Sequence, residues 1–334
     1  MSGQARVAII GAGLTGLSLA HALRDAAQVT VLEKSRGVGG RMSTRRAAPF
    51  AFDHGAQYFS ARGAAFATFL EPFLSRGIIE PWAPRLALLP EGSGAALDWS
   101  SPRYVAVPGM TALAKALAEE LDVERAVHTE TLKKRAETWH LMCREGREFG
   151  PFDWVISTAP AAQTMALMPE EFSGQAALGT AKMLGCYSLM LGFSEPLALP
   201  WEAAWVQQDP LGWIAVDTSK PGRGAAHSIL AQTSNSWAEA NLERDQSEVQ
   251  AELLQAFGDV TGQSPRQAAY ASLHRWRYAS VATPASSPFL IDTERRLAAA
   301  GDWCGAGKVE AAFDSASALA DALCPALAEQ RSIQ

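Results

Sequence analysis

Hydrophobic and polar positions along the 334-residue chain change character twice, and each change predicts a different kind of structure. Residues 6–10 (RVAII) form a short β-branched run, the signature of a parallel strand buried on both faces. A Gly-rich turn over residues 11–16 comes next, then helix formers at apolar spacing over 17–24, then a second strand over 29–32 with Glu33 at its end. Together these predict one βαβ unit. A polar, Gly-rich stretch leads to residues 52–59 (FDHGAQYF), and 66–77 has the spacing of an amphipathic helix. Residues 81–102 mix Pro, Gly and Trp without a period, which predicts short strands and loops, and 111–121 (TALAKALAEEL) predicts a helix. Short strands follow from Leu141 and end in 153–160.

From Gly185 to Ser236 the pattern becomes strand-like. Runs at 186–193, 204–207, 213–217 and 228–233 are separated by Pro and Gly, which predicts an antiparallel sheet. A helix is expected over 247–257, a buried strand over 297–300 and a last helix over 309–323. No internal repeat is evident. The ends of the chain thus read as one α/β domain and the middle as an α+β domain, interleaved in sequence. The expected division is 1–75, 103–165 and 290–330 for the first and 76–102 and 166–289 for the second.

Composition narrows the classes. Hydrophobic residues make up 48% and charged residues 19%, enough apolar material for two cores. A net charge of −6 gives no reason to expect nucleic acid or an anionic membrane as partner, and the cluster Arg41, Arg45, Arg46 is too short for a nucleic-acid stripe. No apolar run approaches the roughly 18 residues of a membrane span, and residues 1–6 lack the pattern of a secretory leader. Cys143, Cys186, Cys304 and Cys324 lie far apart without a C-x-x-C pair, so neither a metal site nor a disulfide framework is expected. A cytoplasmic protein with reduced thiols, monomeric or weakly dimeric, is the expectation.

The chemistry begins at Gly11-Ala12-Gly13-Leu14-Thr15-Gly16, which matches G-x-G-x-x-G between a strand and a helix. In that context the first Gly permits the turn, the second lets the backbone approach a pyrophosphate, and the third packs the helix on the strand. The phosphates then face the unpaired amides of the helix N-terminus. Glu33, about 20 residues on, stands where an acid accepts the ribose hydroxyls. These residues alone specify a dinucleotide.

The stretch from Glu33-Lys34 to Gly39-Gly40-Arg41 resembles the second signature of the monoamine oxidase-type flavoproteins. The resemblance implies FAD bound in an extended conformation. The Gly pair would turn beneath the cofactor, with Arg41 on its diphosphate and ribityl region. Gly301-Asp302, then Gly305, Gly307, Val309 and Glu310, resemble that family's C-terminal signature, with Asp302 near the ribityl or phosphate and the helix N-terminus toward the flavin. Asp302 as a simple helix cap is the competing interpretation. By the same resemblance Val127 is a candidate adenine contact, and Ala159 belongs to a further short motif. The implied fold is a Rossmann-like FAD-binding domain interleaved with an antiparallel-sheet substrate domain, as in p-hydroxybenzoate hydroxylase and amine oxidases.

Within that superfamily the chain is similar to the renalase family, especially its bacterial members. The similarity runs through residues 39–44 (GGRMST), 53–59 (DHGAQYF), 274–279 (HRWRYA) and 301–304 (GDWC). It implies an oxidase of misformed nicotinamides, taking 2-dihydro or 6-dihydro isomers of NAD(P)H to NAD(P)+ with O2 as acceptor and hydrogen peroxide as product. Such substrates donate hydride readily, so the requirement is for aromatic walls and a few amides rather than a strong base. Trp205, Gln207, Trp213, Gln232 and Asn235 are the candidate substrate-placing residues, with Trp237, Trp276 and Tyr278 as further aromatics. Gln232 stands where vertebrate relatives carry His, and Trp205 where they carry Tyr. Ala56, Gln57 and Tyr58 are expected flavin neighbours, whereas His54 is expected to be structural. Cys304 is displaced from the position of covalent attachment in monoamine oxidases, so FAD is expected to be noncovalent. Arg275 and Arg277 are open between substrate phosphates and surface.

Rival functions are an amine oxidase, a flavin monooxygenase and an FAD-binding scaffold. No Lys lies in 270–290 for the first, and no second G-x-G-x-x-G exists for the second.

Overall fold

The run at residues 6–10 forms the strand Ala5–Ile10, which pairs in parallel with Ala27–Glu33 on one side and Trp154–Ser157 on the other. Val7, Ala8 and Ile9 are wholly buried, as a central strand covered on both faces requires. The computed structural model describes residues 4–90 and 101–333, so the expectation for 81–102 lies partly outside the described residues. Two compact units divide the chain: Met1–Gly40, Ala114–Met183 and Val281–Gln334 form one, Arg41–Leu113 and Leu184–Ser280 the other. The unit boundaries differ from those expected. Residues 41–75 belong with the second unit because Phe52 stacks on Tyr270 and Asp53 is tied to residues 217–223.

The first unit is built on a six-stranded sheet in the order Leu290–Asp292, Leu297–Ala299, Trp154–Ser157, Ala5–Ile10, Ala27–Glu33, Asp122–Arg125. Its first pair is antiparallel and the others are parallel. The helix Leu14–Leu23 crosses from the first strand to the second, as the βαβ pattern predicts. A separate antiparallel meander of Thr129–Arg135, Thr138–Cys143 and Glu148–Phe152 buries Trp139 and Leu141 in the same core as Val155, Leu297 and Trp303.

The second unit holds another six-stranded sheet, ordered Ala268–Thr283, Lys182–Phe193, His227–Thr233, Leu211–Val216, Ala203–Val206, Leu86–Leu89. Its central pairs are antiparallel, as expected, but Leu86–Leu89 joins Ala203–Val206 in parallel. The helix Gln246–Thr261 covers one face. Its N-cap Asp245 accepts from the Ser247 and Glu248 amides, Val249, Leu253 and Phe257 are its buried stripe, and Gly262 ends it at φ +68°. All four cysteines are free thiols. Among the described residues no helix is long and apolar enough to cross a membrane, and no group of three or more His, Cys, Asp or Glu could hold a metal.

Candidate functional site

In the first unit the fingerprint turn is shaped by close backbone approaches. Gly11 has φ +108°, and its N–H donates to the Leu32 carbonyl at 2.8 Å, locking the turn to the second strand. A Cβ on Gly16 would stand 2.0 Å from the Gly11 carbonyl oxygen, so only Gly lets the helix start this close to the turn. Gly13 differs: a Cβ there would meet nothing within 4 Å. It is the N-cap of Leu14–Leu23 and has no side chain with which to cap it, so it gives the first helix amides no side-chain acceptor. Ala12 and Thr15 are buried beneath.

Glu33 is buried. Its Oε2 accepts from the Ala12 amide at 2.8 Å and its Oε1 from the Ser35 amide at 2.7 Å. A carboxylate has about four acceptor positions, so it can still take a pair of hydroxyls. Gly39 donates to the Ala12 carbonyl at 2.8 Å, and Gly40, at φ +52°, would bring a Cβ 3.5 Å from the Gly13 Cα. The two Gly signatures therefore meet. Val127 has its amide on the Glu33 carbonyl (2.9 Å) and its side chain in the core, and exposed Lys34 donates to Gln163. A space left open at Gly13, amides at a helix start and an acid at the strand end fit a dinucleotide such as FAD.

The C-terminal signature belongs to the same unit. Gly301 donates to Ser315 Oγ at 3.0 Å, and the Trp303 indole donates to the Ala159 carbonyl at 3.0 Å. The buried Asp302 accepts the Gly305 and Gly307 amides on its carbonyl, which shapes the loop before the helix Val309–Ile333, where Val309 and Glu310 are half-buried. Burial pushes the Cys304 thiol up to about 11, so it stays protonated and a poor nucleophile.

In the second unit, residues 53–58 form a rigid platform. A Cβ on Gly55 would stand 1.9 Å from the Arg41 carbonyl oxygen, which also accepts the Ala56 amide at 2.8 Å. The Arg41 guanidinium donates to the Ala279 carbonyl at 3.3 Å. The His54 carbonyl accepts from Ser188 Oγ (2.8 Å) and the Trp276 indole (2.6 Å), and the Gln232 amide donates to the Gly55 carbonyl at 2.9 Å. His54 is buried edge-on to His274. Burial lowers both imidazoles to about 4, aided by the opposing His274 ring and Arg45 for His54 and by Arg45 for His274, so both are neutral near pH 7.

Tyr58, Trp82 and Trp213 form an aromatic cluster, with ring centres 5.8 to 6.5 Å apart, and Trp205 meets Trp213 at 4.7 Å. Trp205 is 41% exposed while Trp213 is buried. The Arg103 guanidinium lies 5.8 Å from the Tyr58 ring centre, and burial raises the Tyr58 phenol against the opposing effect of Arg103. Trp205 and Trp213 thus come together with Tyr58 and Trp82, and Gln232 reaches the platform. Gln207 is exposed just past the end of the strand Ala203–Val206, and the Asn235 amide donates to the Gly185 carbonyl at 2.7 Å. Gln57 turns inward, donating to the Asp53 and Gly55 carbonyls, so its side-chain amide is engaged within the protein. Arg275 donates to the Leu242 carbonyl, and Arg277 pairs with Glu243.

Sequence patterns gave no sign of Lys220. Its ammonium is wholly buried against Asp217 Oδ1 (2.5 Å), Asp53 Oδ2 (3.3 Å) and Gln57 Oε1 (3.3 Å). Arg223 also pairs with Asp53. Burial acts to raise the Asp53 carboxyl, but Lys220, Arg223 and the Met110 amide outweigh it and hold it below the usual carboxylate range. Burial, helped by the Asp53 charge and only partly offset by Lys220, pushes Asp217 the other way.

Comparison with known proteins fits this arrangement. Residues 9–72 match the NAD(P)-binding Rossmann-like domain family. Renalase of Mus musculus is 24% identical over 305 residues, covering 84% of this chain and 86% of that protein. Cyclohexylamine oxidase from Brevibacterium oxydans superposes with a TM-score of 0.72 at 14% identity, over 97% of this chain and 99% of that one. Putrescine oxidase bound to putrescine gives 0.69 at 13% identity, over 96% and 99%. The chain has the α/β Rossmann-like, amine oxidase-type fold of FAD-dependent oxidoreductases.

Proposed function

We propose that this chain, an FAD-dependent oxidoreductase by fold and fingerprint, is an oxidase of the renalase type that returns 2-dihydro or 6-dihydro isomers of NAD(P)H to NAD(P)+. The observation that carries the substrate class is the cluster of Tyr58, Trp82, Trp205 and Trp213, in which the exposed Trp205 is backed by packed aromatic rings and offers an apolar wall of the kind a flat ring needs. Similarity to mouse renalase over most of both chains supports it.

FAD would be held noncovalently, with its phosphates at Gly11, Ala12, Gly13, Thr15 and Gly16 and its ribose at Glu33. Lys34, Gly40, Arg41, Val127, Asp302, Val309 and Glu310 would complete its surroundings. Cys304, buried and protonated, is unsuited to a covalent link. When bound, the flavin would accept the hydride and pass two electrons to O2. The protein's own task is then placement. Ala56, Gln57 and Tyr58 form a fixed edge, with Gln57 and Gln232 bracing the platform rather than moving protons. Neither His54 nor His274 is charged near neutrality, and none is needed as a base, because the misplaced hydride leaves as the ring regains aromaticity. Trp205 and Trp213 would flank the ring, while Gln207 and Asn235 would act at most at its margin.

The second function supported by an observation is oxidation of a small amine, since cyclohexylamine oxidase and putrescine oxidase share the fold. One experiment separates the two. The purified protein is expected to show an oxidised-flavin spectrum, and to bleach fast when mixed anaerobically with 2-dihydroNAD or 6-dihydroNAD. Bleaching by cyclohexylamine or putrescine alone would overturn the renalase-type proposal.

A further inference from the structure

The cluster of Asp53, Asp217, Lys220 and Arg223 has no role in holding a dinucleotide, and it is costly to build. Its two carboxylates and two cations sum to no net charge, with side chains 0 to 5% exposed. Apolar residues of similar volume would hold a fold at least as well as a buried ion-pair cluster. What ion pairs and hydrogen bonds add is direction. Asp53 Oδ1 accepts from Thr44 Oγ1 (2.7 Å) and the Met110 amide (2.9 Å). The Asp53 amide donates to Asp217 Oδ2 (2.5 Å), which pins the start of the platform to the turn Asp217–Ser219. Lys220 then extends the cluster in two directions. It donates to Gln57 Oε1 at 3.3 Å, next to Tyr58 in sequence, and its ammonium lies 5.4 Å from the centre of the Trp82 ring. One buried cation thus contacts both the polar cluster and the aromatic one.

We propose that Lys220 is a positioning residue, which fixes Gln57 and Trp82 and thereby sets the spacing of Tyr58, Trp82 and Trp213. This rests on the renalase-type function, in which these rings receive the dihydronicotinamide. Hydride transfer is sensitive to placement on the scale of an ångström, so a wall fixed from behind by a directional contact serves the reaction without touching it.

The test compares Lys220→Met with the double variant Lys220→Met/Asp217→Asn in the full-length, flavin-loaded protein. The single variant leaves two carboxylates facing one arginine. The double variant restores neutrality and keeps a carbonyl oxygen at residue 217 for the Asp53 amide, but has no cation beside Gln57 and Trp82. Three quantities are read: the melting temperature, the near-UV circular dichroism of the aromatic cluster, and anaerobic flavin reduction by 2-dihydroNAD resolved into apparent Kd and limiting rate. The double variant is expected to recover most of the melting temperature lost by the single one. It should retain an altered near-UV spectrum and a limiting rate of flavin reduction lowered about tenfold or more. Recovery of spectrum and limiting rate along with stability would mean that Lys220 only balances charge, and would overturn the proposal, as would an unchanged spectrum in both variants. If the single variant does not fold, the double variant alone decides. If no dihydronicotinamide reduces the wild-type flavin, the functional proposal falls, and the near-UV spectrum still decides the role of Lys220.

Discussion

In the first unit the candidate ligand surface is made of backbone: the turn at residues 11–16, the Gly pair at 39–40 and the start of Leu14–Leu23, with Glu33 as the principal side chain. In the second unit it is made of side chains drawn from distant parts of the sequence, with Tyr58 and Trp82 beside Trp205 and Trp213, backed by charges at 53, 217, 220 and 223. The two fail differently when altered. A backbone site tolerates no added volume where chain meets chain. A buried-charge site tolerates no unbalanced charge, because an ion without its partner cannot be solvated.

The largest effects should come from breaking each unit at its own weak point. Gly16→Ala puts a methyl 2.0 Å from the Gly11 carbonyl oxygen, which the backbone must move to admit. A loss of about 3 kcal/mol or more in urea-unfolding stability, with loss of bound flavin, is expected. Gly13→Ala is the control, since its Cβ meets no protein atom within 4 Å. Its apo form should melt with the wild type while its flavin absorbance per protein falls sharply. If Gly13→Ala keeps its full flavin absorbance, the space at Gly13 is not where the cofactor lies. In the second unit, Asp53→Asn leaves Lys220 and Arg223 opposed by Asp217 alone and should cost about 3–5 kcal/mol. A drop under about 1 kcal/mol would mean that water reaches the cluster.

A smaller effect is expected from His54 and His274. Both are held near 4 in the folded protein, below the ordinary value of about 6.5. As pH falls from about 6.5 toward about 4, the unfolded chain takes up protons that the folded chain does not, so stability declines through that window. After discounting for partial exposure the loss is on the order of 2–4 kcal/mol for the pair. Melting curves from pH 4.5 to 7 should steepen this way, and His274→Asn should flatten the profile. A profile unchanged by His274→Asn would mean that His274 titrates alike in the folded and unfolded chain.

The same contrast explains what the sequence disclosed. The fingerprint is legible because steric needs fall at fixed local spacings, so Gly11, Gly13, Gly16 and Glu33 announce the turn and the strand end together. The strand Ala268–Thr283 was not legible. Its residues are half-buried on both faces, so no period-2 alternation marks it, and Arg275 and Arg277 interrupt the apolar run. The strand Thr129–Arg135 (TETLKKR) is mostly exposed and reads as a polar loop. Lys220 lies 163 residues from Gln57, and a lone Lys before Pro221 and Gly222 has the look of a surface turn. Side-chain direction was hidden as well. Gln57, Gln232 and Asn235 are polar residues in suitable segments, yet each amide is engaged with the protein's own backbone.

The smallest predicted effect decides whether the second unit also supplies charge to its ligand. Arg277 pairs with Glu243 at the surface, with side chains 40% and 77% exposed, and Arg275 donates to the Leu242 carbonyl. An exposed pair of this kind contributes about 0–1 kcal/mol and is screened by salt. Arg277→Ala should therefore leave urea-unfolding stability within about 0.5 kcal/mol of wild type. If the arginine serves only Glu243, the variant's apparent Kd for a dihydronicotinamide dinucleotide should equal that of wild type at both low and moderate salt. If it met a substrate phosphate, affinity would fall and its salt dependence would weaken with the loss of that charge. An unchanged Kd would leave the second unit recognising its ligand by ring faces alone, with its buried charges acting from behind the wall. A weakened one would add a charged contact at the residue next to Trp276 on the strand Ala268–Thr283, and the contrast between a backbone site and an aromatic site would need a third, electrostatic element.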